Sequence, residues 1–223
     1  FYAPVEKRVD DHTLLLGWGN PEQRGVKMAR PGDEAAVLDA RRLEAVWKGC
    51  FESISVQESG VLAVFDRALP ECLPENPVIE NLTLSPDVII RRCEFRQNRA
   101  RGVLLTCKNA LVEECLFETA GAAVYLEGEA CFWYESGAVH SVILKENRFI
   151  NCAYIPAWGE APVTVCPKVE KGGEPYYHGS LELLKNEFQC FDERVLYARQ
   201  VGHILLMDNR YRKTSEYPEQ KGK

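Results

Sequence analysis

An eight-residue phrase that occurs five times constrains this chain more than anything else in it. The copies lie at residues 88–95, 110–117, 142–149, 181–188 and 204–211. Aligned on their last residue, they share an aromatic column of Phe95, Phe117, Phe149, Phe188 and Tyr211. Two residues earlier stand Cys93, Cys115, Asn147, Asn186 and Asn209. Apolar residues such as Val88 and Ile90, or Leu181 and Leu183, recur two apart at the start of each copy, and charged residues fill most of the gap before the Cys/Asn column.

Apolar residues two apart predict a strand with one buried face. The charged pair predicts an outward bend. A second apolar run follows each of the first four copies, at 103–105, 124–126, 163–165 and 195–197. A unit of strand, bend, strand and return cannot bury its own apolar face, so it must stack on its neighbours. Stacking in register sets Phe over Phe and Asn over Asn, one coil every roughly 4.8 Å. An inward-pointing Asn can then satisfy backbone groups at the bend. The expected fold is all-β: a right-handed parallel β-helix over residues 77–223, with 81–84 as an incomplete first rung.

Residues 1–76 follow a different pattern. Pro31-Gly32-Asp33 is turn chemistry, and four short apolar runs follow at 34–39, 43–47, 51–56 and 61–65. Such spacing predicts a small antiparallel β appendage or barrel over about residues 27–70. A helix over 33–48 is the alternative, because Ala, Leu, Glu and Arg favour helices. Residues 14–16 read as a further short strand, and Pro70, Pro74 and Pro77 as a stiff link.

Length and charge exclude some classes. A chain of 223 residues suits one domain, or one with a small addition. Its net charge of −6 argues against a nucleic-acid surface. It has no apolar run long enough to predict a membrane span. Nine cysteines without a CxxC pair read as small apolar thiols, and no metal site or cofactor is expected. The thiols lean towards a reducing compartment, and the start of the chain lacks a basic-then-apolar signal pattern. Compartment and oligomeric state stay open.

The intervals between the aromatics carry the functional argument. They are 22, 32, 39 and 23 residues, so two coils carry excursions. The additions fall in the returns at about 127–141 and 166–180 and in the turn at 150–162. Long loops on a rigid stack are where sites form. The first excursion holds Glu127, Glu129, Phe132, Trp133, Tyr134 and Glu135; the second holds Lys168, Glu170, Lys171, Glu174, Tyr176, Tyr177 and His178; the turn holds Tyr154, Trp158 and Glu160. Aromatic rings beside carboxylates suit a sugar, whose apolar face stacks while acids meet its hydroxyls or move protons. The competing reading folds Phe132, Trp133 and Tyr134 back as a local core. Arg99 and Arg101 either offer paired donors to a substrate or pair with Glu113 and Glu114 on the next coil. His140 and His203 flank strands as solvated residues, and His178 is the histidine expected at a site.

At these residues the chain resembles a known family. The stretch 98–104 (NRARGVL), the stretch from Glu127-Gly128-Glu129 to Trp133-Tyr134-Glu135-Ser136-Gly137, and the Pro31-Gly32-Asp33 turn resemble glycoside hydrolase family 110. The match spans about residues 27–212. The resemblance implies a parallel β-helix with small barrel insertions and inverting hydrolysis of terminal α-1,3-linked galactose, with no cofactor. Members of the family are much longer and are often secreted or periplasmic. The family pattern has Asp after Glu-Gly, where this chain has Glu129, one methylene longer.

Inversion requires two carboxyl groups about 6.5–9.5 Å apart. Glu129 and Glu135 are the expected catalytic pair, with Glu127 as substitute. Arg99, Arg101, Glu127, Trp133, Tyr134, Trp158 and His178 are the expected substrate-binding residues, and the expected partner is a terminal galactoside-type glycan. Two rival classes share the fold: a non-catalytic glycan-binding or structural β-helix, and a polysaccharide lyase using Ca²⁺ with Arg99 or Arg101 as base.

Overall fold

The structure, a computed structural model, describes residues 1–20, 25–135, 138–170 and 176–218. Its regular elements are strands and two short 3₁₀ turns, with no α-helix among the described residues. Two compact units divide the chain. One comprises residues 1–85, 128–137 and 168–175; the other comprises 86–127, 138–167 and 176–223.

The first unit is built on six strands: β1 (Tyr2–Arg8), β2 (Thr13–Leu16), β3 (Glu34–Asp39), β4 (Glu44–Val56), β5 (Val61–Phe65) and β6 (Pro77–Asn81). They close into an antiparallel barrel in the order β1-β2-β5-β4-β3-β6. Alternate residues point inward, burying Ala35, Val37, Phe51, Val61, Ala63 and Phe65 in one cluster. Two details depart from expectation. The runs at 43–47 and 51–56 are one strand, β4, whose first half pairs with β3 and whose second half pairs with β5. A strand shared in this way must bend, and the ladder shifts register between Phe51 and Ser53. The helix alternative over 33–48 is not what forms.

Residues 77–81 are the second departure. They pair antiparallel with both β1 and β3 and so close the barrel, instead of starting a coil. Asn81 ends that strand in a turn, its Oδ1 accepting from the N–H groups of Thr83 and Leu84 at 3.0 and 2.8 Å. Its Nδ2 donates to Asp33 Oδ2 at 2.8 Å, which ties down the Pro31-Gly32-Asp33 turn. Gly32 at φ 91° supplies the left-handed step in that turn.

The second unit is the repeat region. Its coils run β7 (Asp87–Arg91), β8 (Glu94–Asn98), β9 (Val103–Leu105); β10 (Asn109–Glu113), β11 (Leu116–Thr119), β12 (Val124–Leu126); β13 (Ser141–Lys145), β14 (Arg148–Ile150), β15 (Val163–Val165); β16 (His178–Leu184), β17 (Glu187–Cys190), β18 (Leu196–Ala198); and β19 (Val201–Met207), β20 (Arg210–Lys213). Strands in equivalent places pair in parallel, giving sheets of five, five and four strands. This all-β arrangement of stacked parallel sheets is compatible with a β-helix.

The registers follow the sequence columns. Phe117 pairs with Phe95 and Phe149, and Phe188 pairs with Phe149 and Tyr211. The Phe rings stack with centroids 4.8, 5.3 and 4.7 Å apart. Beside them, Asn186 Oδ1 accepts from Asn147 N and Nδ2 at 3.0 and 3.1 Å, and Asn209 Oδ1 accepts likewise from Asn186 at 2.9 and 3.0 Å. Each Asn also donates to a strand carbonyl, as Asn186 does to Leu144 at 2.8 Å. The bend that aims these residues inward is left-handed every time: Arg92, Glu114, Glu146, Lys185 and Asp208 have φ between 53° and 57°. A non-glycine residue there costs about 1–2 kcal/mol, which the buried hydrogen bonds offset.

The outer coils depart from the columns. Tyr211 is 43 % exposed, not buried, because it lies on the last strand of its sheet. Cys93 is likewise exposed on the first coil, whereas Cys115 is buried. The two are column neighbours without a bond, Cys93 N–H lying 3.5 Å from Cys115 Sγ, and none of the nine cysteines forms a disulfide.

Candidate functional site

The first excursion leaves β12 and folds on itself. Glu129 and Glu135 face each other in an antiparallel bridge, Glu129 N donating to Glu135 O at 3.4 Å. Residues paired in this way project from one face with Cβ atoms about 4.5–5.5 Å apart. Between them the chain turns through Tyr134 at φ 57°.

Glu129 organises this turn. Only 1 % of it is exposed. Its Oε1 accepts from Tyr134 N at 2.9 Å and from Trp133 N. Its Oε2 accepts from Phe132 N at 3.0 Å and from the Cys131 thiol at 2.9 Å, with Lys168 Nζ 3.9 Å away. Burial alone would raise its pKa. The Cys131 thiol, the Trp133 and Tyr134 amides and the Lys168 charge outweigh burial, and the carboxyl is held below its ordinary range. Such a group is a fixed anion at neutral pH, not a proton donor.

The loop is also tied to the barrel within its own unit. Tyr2 N donates to Tyr134 O at 2.9 Å, and Asn20 Nδ2 donates to Phe132 O at 3.3 Å. Gly19 lies against the Tyr134 ring, where a Cβ would approach it to 3.0 Å. Lys168 N donates to Gly128 O at 2.9 Å, and Glu170 N to Arg41 O at 2.8 Å. Glu135 and Tyr134 are half-buried. Phe132 and Trp133 are 60 % and 40 % exposed and meet edge to face at 4.8 Å. The local-core reading therefore fails for Phe132 and Trp133, and Tyr134 alone turns inward. Ser136, Gly137, Lys171 and Glu174 lie outside the described residues.

On the coils, the expected substrate residues separate. Arg99 is exposed, while Arg101 lies near two rings, 4.3 Å from the Tyr125 centroid and 5.4 Å from that of Trp158. Neither arginine takes the pairing offered by Glu113 and Glu114. Those carboxylates bind Arg91 and Lys145, and Arg92 at 3.0 Å, respectively. Trp158 ends a 3₁₀ turn (Pro156–Trp158) that packs on Gly121, where any side chain would collide with Trp158 Cβ. Tyr125, a half-buried strand residue, was not singled out from the sequence; its signal was an aromatic in the outward column of Leu104, Tyr125, Thr164 and Tyr197. Burial, then Glu127 and Cys166, push the Tyr125 hydroxyl up to about 12, against the pull of Arg101.

His178 is not on a loop surface. It begins β16 and is 2 % exposed. Its Nδ1 accepts from Val139 N at 3.2 Å, which leaves the proton on Nε2, a buried atom without a partner. Burial lowers its pKa to about 4. Among the described residues, no three His, Cys, Asp or Glu side chains gather as a metal site, and no helix is long and apolar enough to cross a membrane.

Fold and loop together define a class: an all-β protein of stacked parallel strands that carries carboxylates and solvent-facing rings on a coil excursion. Comparison with known proteins narrows this. The chain is 34% identical to Alpha-1,3-galactosidase B of Phocaeicola vulgatus over 97% of its length and 40% of that protein's. It is 32% identical to Alpha-1,3-galactosidase B of Bacteroides fragilis over 97% of its length and 40% of that protein's. It is also 32% identical to Alpha-1,3-galactosidase A of Shewanella woodyi over 99% of its length and 36% of that protein's. No protein-family model matches. The chain is thus α-galactosidase-like in sequence and spans about 40% of the length of the curated relatives it matches.

Proposed function

We propose that the protein is a carbohydrate-active, α-galactosidase-like glycoside hydrolase that cleaves terminal α-linked galactosides with inversion. The observation that carries this is similarity to Alpha-1,3-galactosidases along 97% or more of the chain. The loop that holds Glu129 and Glu135 beside solvent-facing Trp133 supports it. The same reading takes the coils as a right-handed β-helix with an Asn ladder, the hand favoured where right-twisted parallel strands connect.

We assign Glu135 to proton transfer. Glu129, enclosed by its own loop's N–H groups, acts as the positioning residue that holds Trp133 and Glu135 in place. Inversion needs a second carboxyl group, and Glu127→Gln is the variant that tests the substitute named by the sequence. Trp133 offers its ring to the apolar face of the sugar.

The test is incubation with galactosyl-α-1,3-galactose followed by proton NMR from the first minutes. Release of β-galactose before mutarotation is expected. Release of the α-anomer first would overturn inversion. Glycan binding without release from α- or β-linked substrates would favour the non-catalytic reading, which the full enclosure of Glu129 favours on structural grounds.

A further inference from the structure

We infer that Tyr125 is a positioning residue for Arg101, and that the two form a subsite in which Arg101 Nε–H donates to an oxygen of a neutral sugar. This rests on the carbohydrate reading above and adds a site on the coils to it.

Three observations carry the inference. The guanidinium lies over two rings, Tyr125 at 4.3 Å and Trp158 at 5.4 Å, which leaves its edge for a ligand. Its Nε is buried and meets no acceptor. A buried N–H without an acceptor is costly, and a ligand oxygen placed there would remove that cost. Four acids of these coils pair with other cations: Glu113 with Arg91 and Lys145, Glu114 with Arg92, Glu118 with Arg96, and Glu160 with Arg194.

The backbone around the guanidinium is fixed in advance. Asn98 Nδ2 donates to Arg101 O at 3.2 Å, Gly102 N donates to Ala122 O at 2.9 Å, and Ala122 N donates to Trp158 O at 3.0 Å. Tyr125 occupies the outward position of β12, in register with Leu104 and Thr164 on the neighbouring coils. Glu127 and Arg101 both act on Tyr125, and its hydroxyl stays protonated across the physiological range. That hydroxyl is a neutral donor and acceptor beside the guanidinium, of the kind an uncharged sugar meets.

The test is NMR on the ¹⁵N-labelled full chain. The Arg101 Nε–H signal is identified by its loss in Arg101→Lys, and the chain is titrated with methyl α-galactoside, methyl α-glucoside and galacturonate. The expected result is a saturable shift of that signal with a neutral glycoside, and no tighter binding of galacturonate. Tyr125→Leu should weaken binding about tenfold and Tyr125→Phe less, since the Phe variant keeps the ring over the cation and loses only the hydroxyl. A stationary Nε–H signal while sugar shifts other signals would overturn the inference, as would equal binding by the Leu and Phe variants. If Tyr125→Leu loses the parent's cooperative melt, the parent titration decides. A moving Nε–H signal without hydrolysis upholds the inference and removes the hydrolase assignment; hydrolysis with a stationary signal does the reverse; no response to any sugar removes both.

Discussion

The two compact units bury their cores by opposite means. In the coils like meets like: Phe117 lies between two phenylalanines, and Asn186 between two asparagines. In the barrel like meets like only in single pairs, such as Phe51 opposite Phe65, and no column runs through the sheet; Ala35, Val37, Phe51 and Phe65 fill one closed interior together. The coils thus have redundant parts of graded importance, with full burial in the middle and exposure at the last strands. The barrel has no ends in its sheet. Its tolerance should be uniform where that of the coils falls off along the stack.

The largest test of this contrast is core truncation. Phe149→Ala and Phe65→Ala remove fully buried rings, and each should cost about 3–5 kcal/mol. Urea unfolding followed at Trp158 for the coils and Trp47 for the barrel should show each variant shifting its own unit's transition. Equal shifts at both tryptophans for either variant would break the comparison.

His178 gives the next effect, confined to the coils. Its folded pKa of about 4 lies below the ordinary 6.5, so the unfolded chain binds more protons between those values. Stability should be full above pH 6.5 and fall as pH drops towards 4, by up to about 3 kcal/mol. His178→Asn keeps an acceptor for Val139 N and should flatten that slope in melts across the window. An unchanged slope would assign it to other groups.

Smaller still is the Asn column. Asn186→Ala strips an acceptor from Asn147 and a donor from Leu144, at a cost of about 2–3 kcal/mol. Asn209→Ala, one coil further along, should cost about half as much. Tyr211→Ala should cost under about 1 kcal/mol, since the ring is 43 % exposed. A cost for Tyr211→Ala equal to that of Phe149→Ala would show that the last coil is covered.

The same contrast explains what was legible in the sequence. Coil register could be read because five copies of one phrase report on one another; even the inward Asn column was visible before its hydrogen bonds were. The barrel lacked such redundancy. Its closing strand β6 sits almost forty residues after β3, its partner, next to the first repeat, so proximity in sequence assigned it to the wrong unit. The apolar runs at 43–47 and 51–56 are separated in sequence by Lys48-Gly49-Cys50, whereas in the structure Gly49 accommodates the Trp47 ring inside a continuous strand.

The site was legible in composition and less so in role. The excursion's acids and rings were evident, but nothing in the sequence said that Glu129 would turn its carboxylate onto the N–H groups of residues 132–134. His178 looked like a loop residue because the length of β16 was hidden by its polar start. Tyr125 passed unnoticed because a strand aromatic is ordinarily core, and its outward direction becomes meaningful only with Arg101 over its ring.

The central claim is that one carboxylate of the excursion works on substrate while the other holds the loop. The direct measurement is turnover on an α-galactoside, with thermal melts, for Glu135→Gln and Glu129→Gln side by side. Glu135→Gln should melt like the parent and lose at least about 10²-fold in turnover. Glu129→Gln should lower the melting temperature, because an amide cannot accept the set of N–H donors that the carboxylate holds. A Glu129→Gln protein that melts like the parent yet is inactive, beside an active Glu135→Gln, would contradict the account and return the chemistry to Glu129.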